Sequence, residues 1–330
     1  MALTMDHDAN NHGTADEVEL SPTDLVWTAE HNAFTLSQSA IERESIPDLR
    51  KALVLARTYF PKFETDYDQF LEEVFGDVIN RHSIPLIEYM LEHENVSVVA
   101  VKPVLLFQWA SKPLIESLLA HGWDINTQDS PAFNGNRLIN YLIKARYGKE
   151  DLPRWLVEEK GATIDDTESD SSDGDSARRP PLLETCAAFG TVSTFKFIEQ
   201  KGAHASQRML HVAVEIAASN GADPDKDTST DDVHTNAKSR IAEMLRYLVD
   251  ERQLDVNAMD IDVPHLNVTN THWGTPLCYA ARYQNGVPVV RWLMKRGADP
   301  TFKNPYSGLD SIACAREAKC EDVVAALSGQ

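Results

Sequence analysis

Four side chains that could bind a metal ion lie close together in the sequence, between residues 260 and 272. They are Asp260, Asp262, His265 and His272. A metal site needs ligands whose spacing lets them converge on one ion, and these four follow no recognised pattern. The chain also lacks a glycine-rich phosphate loop, a GxSxG elbow and an HExxH helix. The sequence therefore predicts a polar loop here, with no cofactor, no metal and no catalytic residue, and a protein that is not an enzyme.

The cysteines and the apolar segments indicate the compartment. No CxxC pair occurs among the four cysteines, which are Cys186, Cys278, Cys314 and Cys320. We therefore expect reduced, mostly buried thiols within helices of an intracellular protein, cytoplasmic or nuclear. The first residues have no basic and apolar regions of a secretory signal. The most apolar run, residues 98–110, is too short to span a bilayer, so no membrane contact is predicted.

The net charge of −20 is distributed unevenly along the chain. Acidic residues are concentrated in residues 1–20, 165–175 and 223–232, segments whose charge favours a solvated, disordered state. A nucleic acid partner is not expected, because phosphate binding needs a basic surface. Thr167 and Ser172 each have an acid three residues later, which suits an acid-directed kinase; the alternative is an inert linker.

One stretch, residues 273–304, contains both helices of a complete helix–turn–helix unit. Thr275 is suited to cap the first helix, in which small and apolar residues share one face. Asn285-Gly286 predicts the turn, and Pro288 the start of a second helix. Gly297 predicts its end, since glycine tolerates positive φ.

Within this unit, TPLCYAA followed after a turn by an apolar helix and GADP resembles the ankyrin repeat, a unit of roughly 33 residues. Cys278 stands where that family usually has histidine, and Trp273 where a turn glycine is expected. The resemblance implies a β-turn and two helices per repeat. It also implies that a partner protein binds across the turn tips and the exposed side of the first helices.

The second helix of this unit recurs in weaker copies along the chain. Counterparts of Pro288 are Pro85, Pro113, Asp151, Ser193, Glu243 and Asp322. They predict an all-α, ankyrin-like helix–turn–helix solenoid of about six or seven repeats with short β-turn hairpins. Their spacing ranges from 28 to 50 residues, which indicates insertions. The predicted inserts lie near residues 165–180, 219–238 and 261–271.

Three regions follow from this pattern. Residues 1–20 are predicted to be a disordered acidic tail, and residues 21–60 to form two short N-terminal helices. These helices either cap the first repeat or form a separate recognition segment. Residues 61–330 are predicted to be the ankyrin-like repeat domain.

The candidate protein-binding residues are aromatic, basic or imidazole side chains at turns and at the ends of first helices. They are Trp123, Phe189, His272, Trp273, Arg282 and Tyr283. Trp273 could instead pack over the insert beside it, while Trp155 and Trp292 lie on second helices and are expected to pack in the core or on the back face. By the resemblance, His211 takes the family's structural histidine position and braces neighbouring turns.

The predicted function is a non-catalytic protein-interaction scaffold or adaptor, which is expected to be monomeric and to bind a protein partner. The alternative is a regulatory or targeting subunit, for example a degradation adaptor, in which the N-terminal helices recruit a second protein.

Overall fold

The computed structural model describes residues 22–59, 67–130, 135–145, 151–164, 181–226, 233–260, 274–305 and 307–329. The chain divides into two compact units, residues 1–96 and residues 97–330. The described residues are helical, and β-pairing among them is limited to an isolated bridge between Gln128 and Arg137.

The described residues of the first unit form four helices. They are α1 (Pro22–Glu42), α2 (Ile46–Tyr59), α3 (Tyr67–Arg81) and α4 (Ile84–His93). Helix α2 begins next to a serine cap, because the Ser45 hydroxyl accepts the backbone N–H of Asp48 at 3.3 Å. The sequence suggested a short first helix, but α1 has 21 residues. The pair α3–α4, predicted as the first repeat of the array, lies in the same unit as α1 and α2.

In the second unit, the part of the chain that the structure describes forms six helix pairs. They are α5 (Pro103–Leu106) with α6 (Lys112–Ala120), α7 (Leu138–Lys144) with α8 (Asp151–Glu159), α9 (Leu182–Phe189) with α10 (Val192–Gln200), α11 (Met209–Asn220) with α12 (Val233–Arg246), α13 (Pro276–Ala281) with α14 (Val287–Met294), and α15 (Ser311–Glu317) with α16 (Glu321–Leu327). Helix α12 continues into a π-helical turn, Tyr247–Glu251. First helices pack on first helices and second helices on second helices, for instance α11 on α13 and α14 on α16. The predicted all-α, ankyrin-like helical array is confirmed.

Local sequence explains how one pair follows the next. In α13, Ala280 and Ala281 are fully buried, because small side chains let α11 and α15 approach on either side. A residue with positive φ then turns the chain after each second helix, as Gly297 does at φ 87°. After α12 the same place is taken by Gln253 at φ 55°, which hides this turn from a search for glycine.

The predicted inserts coincide largely with segments outside the described residues. This holds for all of 165–180 and of 261–271. The predicted range 219–238 for the second insert includes residues of both flanking helices, because α11 continues to Asn220 and α12 begins at Val233.

Candidate functional site

Four of the six described second helices in residues 97–330 carry an aromatic residue at the same place, four residues after the counterpart of Pro288. These residues are Trp155, Phe197, Tyr247 and Trp292, and all are buried. A cation covers each ring: Lys160 lies 4.9 Å from the Trp155 centroid and Arg296 lies 3.9 Å from that of Trp292. The expectation that Trp155 and Trp292 pack in the core is confirmed.

Ion pairs join successive second helices across this surface, which we call the second-helix face. Glu116 pairs with Lys160 at 2.9 Å, and Asp250 pairs with Arg296 at 2.6 Å. Exposed pairs contribute little individually, about 0–1 kcal/mol. Their effect here is to occupy charged groups of the face with intramolecular partners.

Another edge of the array is formed by the turns that follow the second helices, residues 121–127, 160–164, 201–206, 252–258 and 295–301. We call these turns, together with Gln207 and Phe302 directly after two of them, the turn edge. At this edge, two asparagine side chains each hydrogen-bond backbone groups of the next turn; we call this arrangement the asparagine bracket. Asn257 accepts the N–H of Asp299 at 2.8 Å and donates to the carbonyl of Gly297 at 2.9 Å. Asn126 makes the same pair of bonds to Thr163 and Gly161, at 2.8 and 3.4 Å.

In the turn 201–206, the position that corresponds to Asn126 and Asn257 holds a different residue. Ser206 stands there, and its hydroxyl donates to Glu184 Oε2 at 2.8 Å, back within its own repeat. A cleft of about 390 Å³ lies between this turn and the next. Its lining is mixed, with apolar and polar side chains from Ser206, Gln207, Leu210, Leu254, Asp255, Ala258 and Met259.

A buried polar cluster lies beside the cleft, at the stem of the insert near 261–271. Asp260 donates its N–H to the carbonyl of Gly274 at 3.1 Å, and its carboxylate accepts the N–H of Gly274 at 3.2 Å. The Tyr279 hydroxyl donates to the same carboxylate at 2.6 Å. Thus the two ends of the segment 261–273 are held together at the turn edge. Burial, followed by the Asp260 charge, raises the pKa of Tyr279.

The same closure occurs before two other first helices with loops of other lengths. The N–H of Asp129 donates to Asn136 O at 3.0 Å, and the N–H of Asn304 to Leu309 O at 2.8 Å. All three closing residues, Asp260 included, are buried. An insertion between the closing partners can therefore lengthen the loop at the turn edge without moving the helices behind it.

His211 braces the turn edge as predicted. Its Nε2 lies 2.9 Å from the carbonyl oxygen of Ala258, which links α11 to the turn after α12. The ring is fully buried against Tyr279, and burial lowers the pKa of the imidazole. A neutral ring whose Nε2 carries the proton suits this bond.

The prediction that Trp123 is a binding residue is wrong. Trp123 is buried, and its indole N–H donates to the carbonyl of Val101 at 3.0 Å. The residue after the turn glycine points inward, since Ala162 and Ala298 at the equivalent position are buried too. The sequence alone does not show this, because tryptophan replaces the small alanine found at this position in three of the other turns.

Arg282 and Tyr283 lie at the end of α13 and are only half-buried, but both already hold contacts between repeats. Arg282 Nη2 lies 3.5 Å from Glu317, and the Tyr283 hydroxyl donates to Glu215 at 2.8 Å. Phe189 is half-buried at the end of α9. His272 and Trp273 lie outside the described residues.

An exposed aromatic residue on the turn edge escaped the sequence reasoning. Phe302 is 44% exposed and follows the turn 295–301. Its loop lies beside the stem of the insert, because a Cβ added to Gly274 would be 3.5 Å from Asn304 Cβ. The signal was available: Phe302 stands two residues after the GADP that ends the clearest repeat.

Among the described residues, neither a metal site nor a membrane span is found. No three His, Cys, Asp or Glu side chains among them are placed to hold a metal ion. None of the described helices is long and apolar enough to cross a membrane.

Stacked helix pairs joined by bracketed turns define a helical repeat protein. Within it, the family model for the ankyrin repeat matches residues 274–305, which span α13, α14 and the turn after them. A search of curated proteins found no match to the chain.

Proposed function

We propose that this chain is a non-catalytic protein-interaction scaffold or adaptor, and that its partner binds the turn edge and the adjoining side of the first helices. The observation that carries the proposal is the difference between the two faces of residues 97–330. Aromatic side chains on the second-helix face are buried under cations that belong to the same chain.

The turn edge has the features that protein recognition uses. It presents an exposed aromatic side chain, Phe302, and a cleft lined by both apolar and polar side chains. Its backbone is held by the Asn126 and Asn257 brackets and by His211, so little ordering remains to be done on binding.

Photo-crosslinking tests the proposal without knowledge of the partner. A benzophenone amino acid is placed at Phe302 or Gln207 on the turn edge. As matched controls it is placed at Arg291 or Glu243, which are exposed on second helices. We expect protein adducts from the two turn-edge positions only. Adducts of the same proteins at equal yield from Arg291 and Glu243 would count against the proposal.

A second candidate is a regulatory or targeting subunit that recruits another protein through its N-terminal helices. It is favoured by exposed apolar residues on α1 and α2, since Phe34, Leu36 and Val54 are 37%, 49% and 54% exposed. Replacing these three residues by serine in the full chain would abolish capture of one protein and spare capture at the turn edge. Unchanged capture of every protein would remove this candidate.

A further inference from the structure

Both asparagine brackets join the same two backbone groups of the turn that follows. The side-chain amide accepts the N–H of one residue and donates to the carbonyl of the residue two positions earlier. The joined groups are those of Thr163 and Gly161 for Asn126, and those of Asp299 and Gly297 for Asn257. The turn 252–258 has the same two groups at the corresponding positions, the N–H of Asp255 and the carbonyl of Gln253.

These two groups of the turn 252–258 are left without an asparagine. Within the described residues, neither the Asp255 N–H nor the Gln253 carbonyl takes part in a hydrogen bond. Ser206 stands at the position of the bracketing asparagine. Its hydroxyl donates to Glu184 Oε2 at 2.8 Å and accepts the N–H of Arg208 at 3.0 Å, both in its own repeat. A backbone donor and a backbone acceptor, two residues apart, are therefore open to an outside partner.

The cleft of about 390 Å³ lies beside these open groups. It is lined by Ser206 from one turn and by Asp255 from the next, so it separates the serine from the open N–H. Leu210, Leu254 and Met259 provide an apolar surface next to these polar groups. A volume near the lower end of the roughly 300–1,000 Å³ range of ligand pockets suits a side chain or a short segment of peptide. The cleft thus occupies the place that an asparagine amide fills between other turns.

The charge at the cleft favours a neutral or basic occupant. Asp255 is exposed, and it is the charged residue among those that line the cleft. Its Oδ1 accepts the N–H of Asn257 at 2.8 Å, and within the described residues its carboxylate has no basic partner. The net charge of the chain is −20. A basic residue of a partner would be attracted to this place, and a carboxylate would be repelled.

We propose, on the basis of the proposed function, that the cleft binds a peptide segment of the partner protein that presents an asparagine side chain next to a lysine or arginine. The asparagine amide accepts the Asp255 N–H and donates to the Gln253 carbonyl, and the basic residue pairs with the Asp255 carboxylate. A side-chain amide can reach both backbone groups, because its oxygen and its NH₂ lie at one end. The C=O and N–H of a single trans peptide group point in opposite directions.

Pools of short peptides test this occupant on the full-length protein. Each pool has random sequence around a fixed central residue, which is asparagine, aspartate or alanine. Binding is measured by NMR titration, from the shift of the Asp255 amide resonance. We expect the asparagine pool to bind roughly tenfold more tightly than the other pools, since two hydrogen bonds contribute about that factor. Fixing arginine next to the asparagine should tighten binding, and fixing glutamate there should weaken it. Equal or undetectable binding of all pools would overturn the proposal.

A single substitution can supply the missing amide from the chain itself. Ser206→Asn should slow hydrogen exchange of the Asp255 amide by roughly fivefold without peptide, and should weaken binding of the asparagine pool by roughly tenfold, because the site is filled. Ser206→Ala is the matched control, since it leaves both backbone groups open and should bind the pool within about twofold of wild type. Binding of the asparagine pool to Ser206→Asn at wild-type strength would overturn the proposal. The comparison of pools uses wild-type protein and does not depend on either variant.

The asparagine site and the proposed function fail under different results. Crosslinking from Phe302 reports whether a protein binds the turn edge, whatever group that protein presents. Adducts from Phe302 together with equal binding of all pools would overturn the asparagine site alone. Preference for the asparagine pool together with equal adducts from Arg291 and Glu243 would support the site and count against the proposed partner surface.

Discussion

The two faces of residues 97–330 solve the problem of joining repeats in different ways. On the second-helix face, buried rings and covering cations join neighbours through side chains. On the turn edge, asparagine, histidine and aspartate side chains hold backbone groups. A face whose large side chains are buried has little left to offer a partner, whereas an edge held through its backbone leaves aromatic side chains such as Phe302 exposed. The second-helix face therefore contributes packing between repeats, and the turn edge is the face at which we propose that a partner binds.

The largest effect is expected from removing a ring of the second-helix face. Trp292 is fully buried on α14, and Arg296 lies 3.9 Å from its ring centroid. Trp292→Ala should lower the free energy of unfolding by about 3–5 kcal/mol, measured in urea, because it leaves a cavity. Phe302→Ala, on the exposed edge, should change it by less than about 0.5 kcal/mol. Equal losses would erase the contrast between the faces.

The second-largest loss of stability is expected at the stem of the insert near 261–271. Asp260→Ala removes the acceptor for the Tyr279 hydroxyl and for the Gly274 N–H, both within the buried cluster. The cost should be about 2–3 kcal/mol in urea unfolding, since buried donors lose their partners. Asp299→Ala serves as the control, because its carboxylate only caps its own exposed turn at Thr301. If Asp260→Ala lowers the free energy of unfolding no more than Asp299→Ala does, the buried hydrogen bonds of the stem do not stabilise the fold.

The asparagine bracket predicts a smaller effect. Asn257→Ala breaks two hydrogen bonds to the next turn at 2.8 and 2.9 Å, and should cost about 1 kcal/mol. Hydrogen exchange of the Asp299 amide should accelerate in the same variant, while that of Thr163, which Asn126 holds, should not. Unchanged exchange at Asp299 would mean that the bracket does not hold the edge.

Alkaline pH should weaken the contact between α11 and α13. Burial, followed by the bond to Glu215, raises the pKa of Tyr283 from 10.0 to about 12. The folded-state pKa is the higher one, so the stabilisation is complete below pH 10.0 and is lost as the pH rises toward about 12. Urea midpoints should fall across that window, and Tyr283→Phe should make the fall shallower. An identical pH profile in both proteins would refute this contribution.

Much of the repeat architecture could be predicted from the sequence, because its signals are local. Pro288 and Gly297 mark helix ends whatever surrounds them, and His211 could be placed by its neighbours in the chain. The site was harder. Whether Trp123 faces solvent depends on what lies beneath the turn, and it packs inward with its indole on Val101. From the sequence, Arg282 and Tyr283 are predicted to be available to a protein partner. Their contacts with Glu317 and Glu215 could not be foreseen, since those residues are distant in the chain.

The aromatic position of the second helices shows the same limit. Trp155, Phe197, Tyr247 and Trp292 recur at one place in the sequence, and their burial could be expected. Their cations come partly from neighbouring repeats, as Lys196 does for Tyr247 at 4.5 Å. Only the stacked structure brings the two together.

Binding affinity for the protein identified by crosslinking tests the division of the faces most directly. Titration calorimetry would compare wild type with Phe302→Ala on the turn edge and Arg291→Ala on the second-helix face. We expect Phe302→Ala to raise Kd by roughly tenfold or more, as an aromatic anchor does, and Arg291→Ala to leave it within about twofold. A larger loss from Arg291→Ala than from Phe302→Ala would contradict the account.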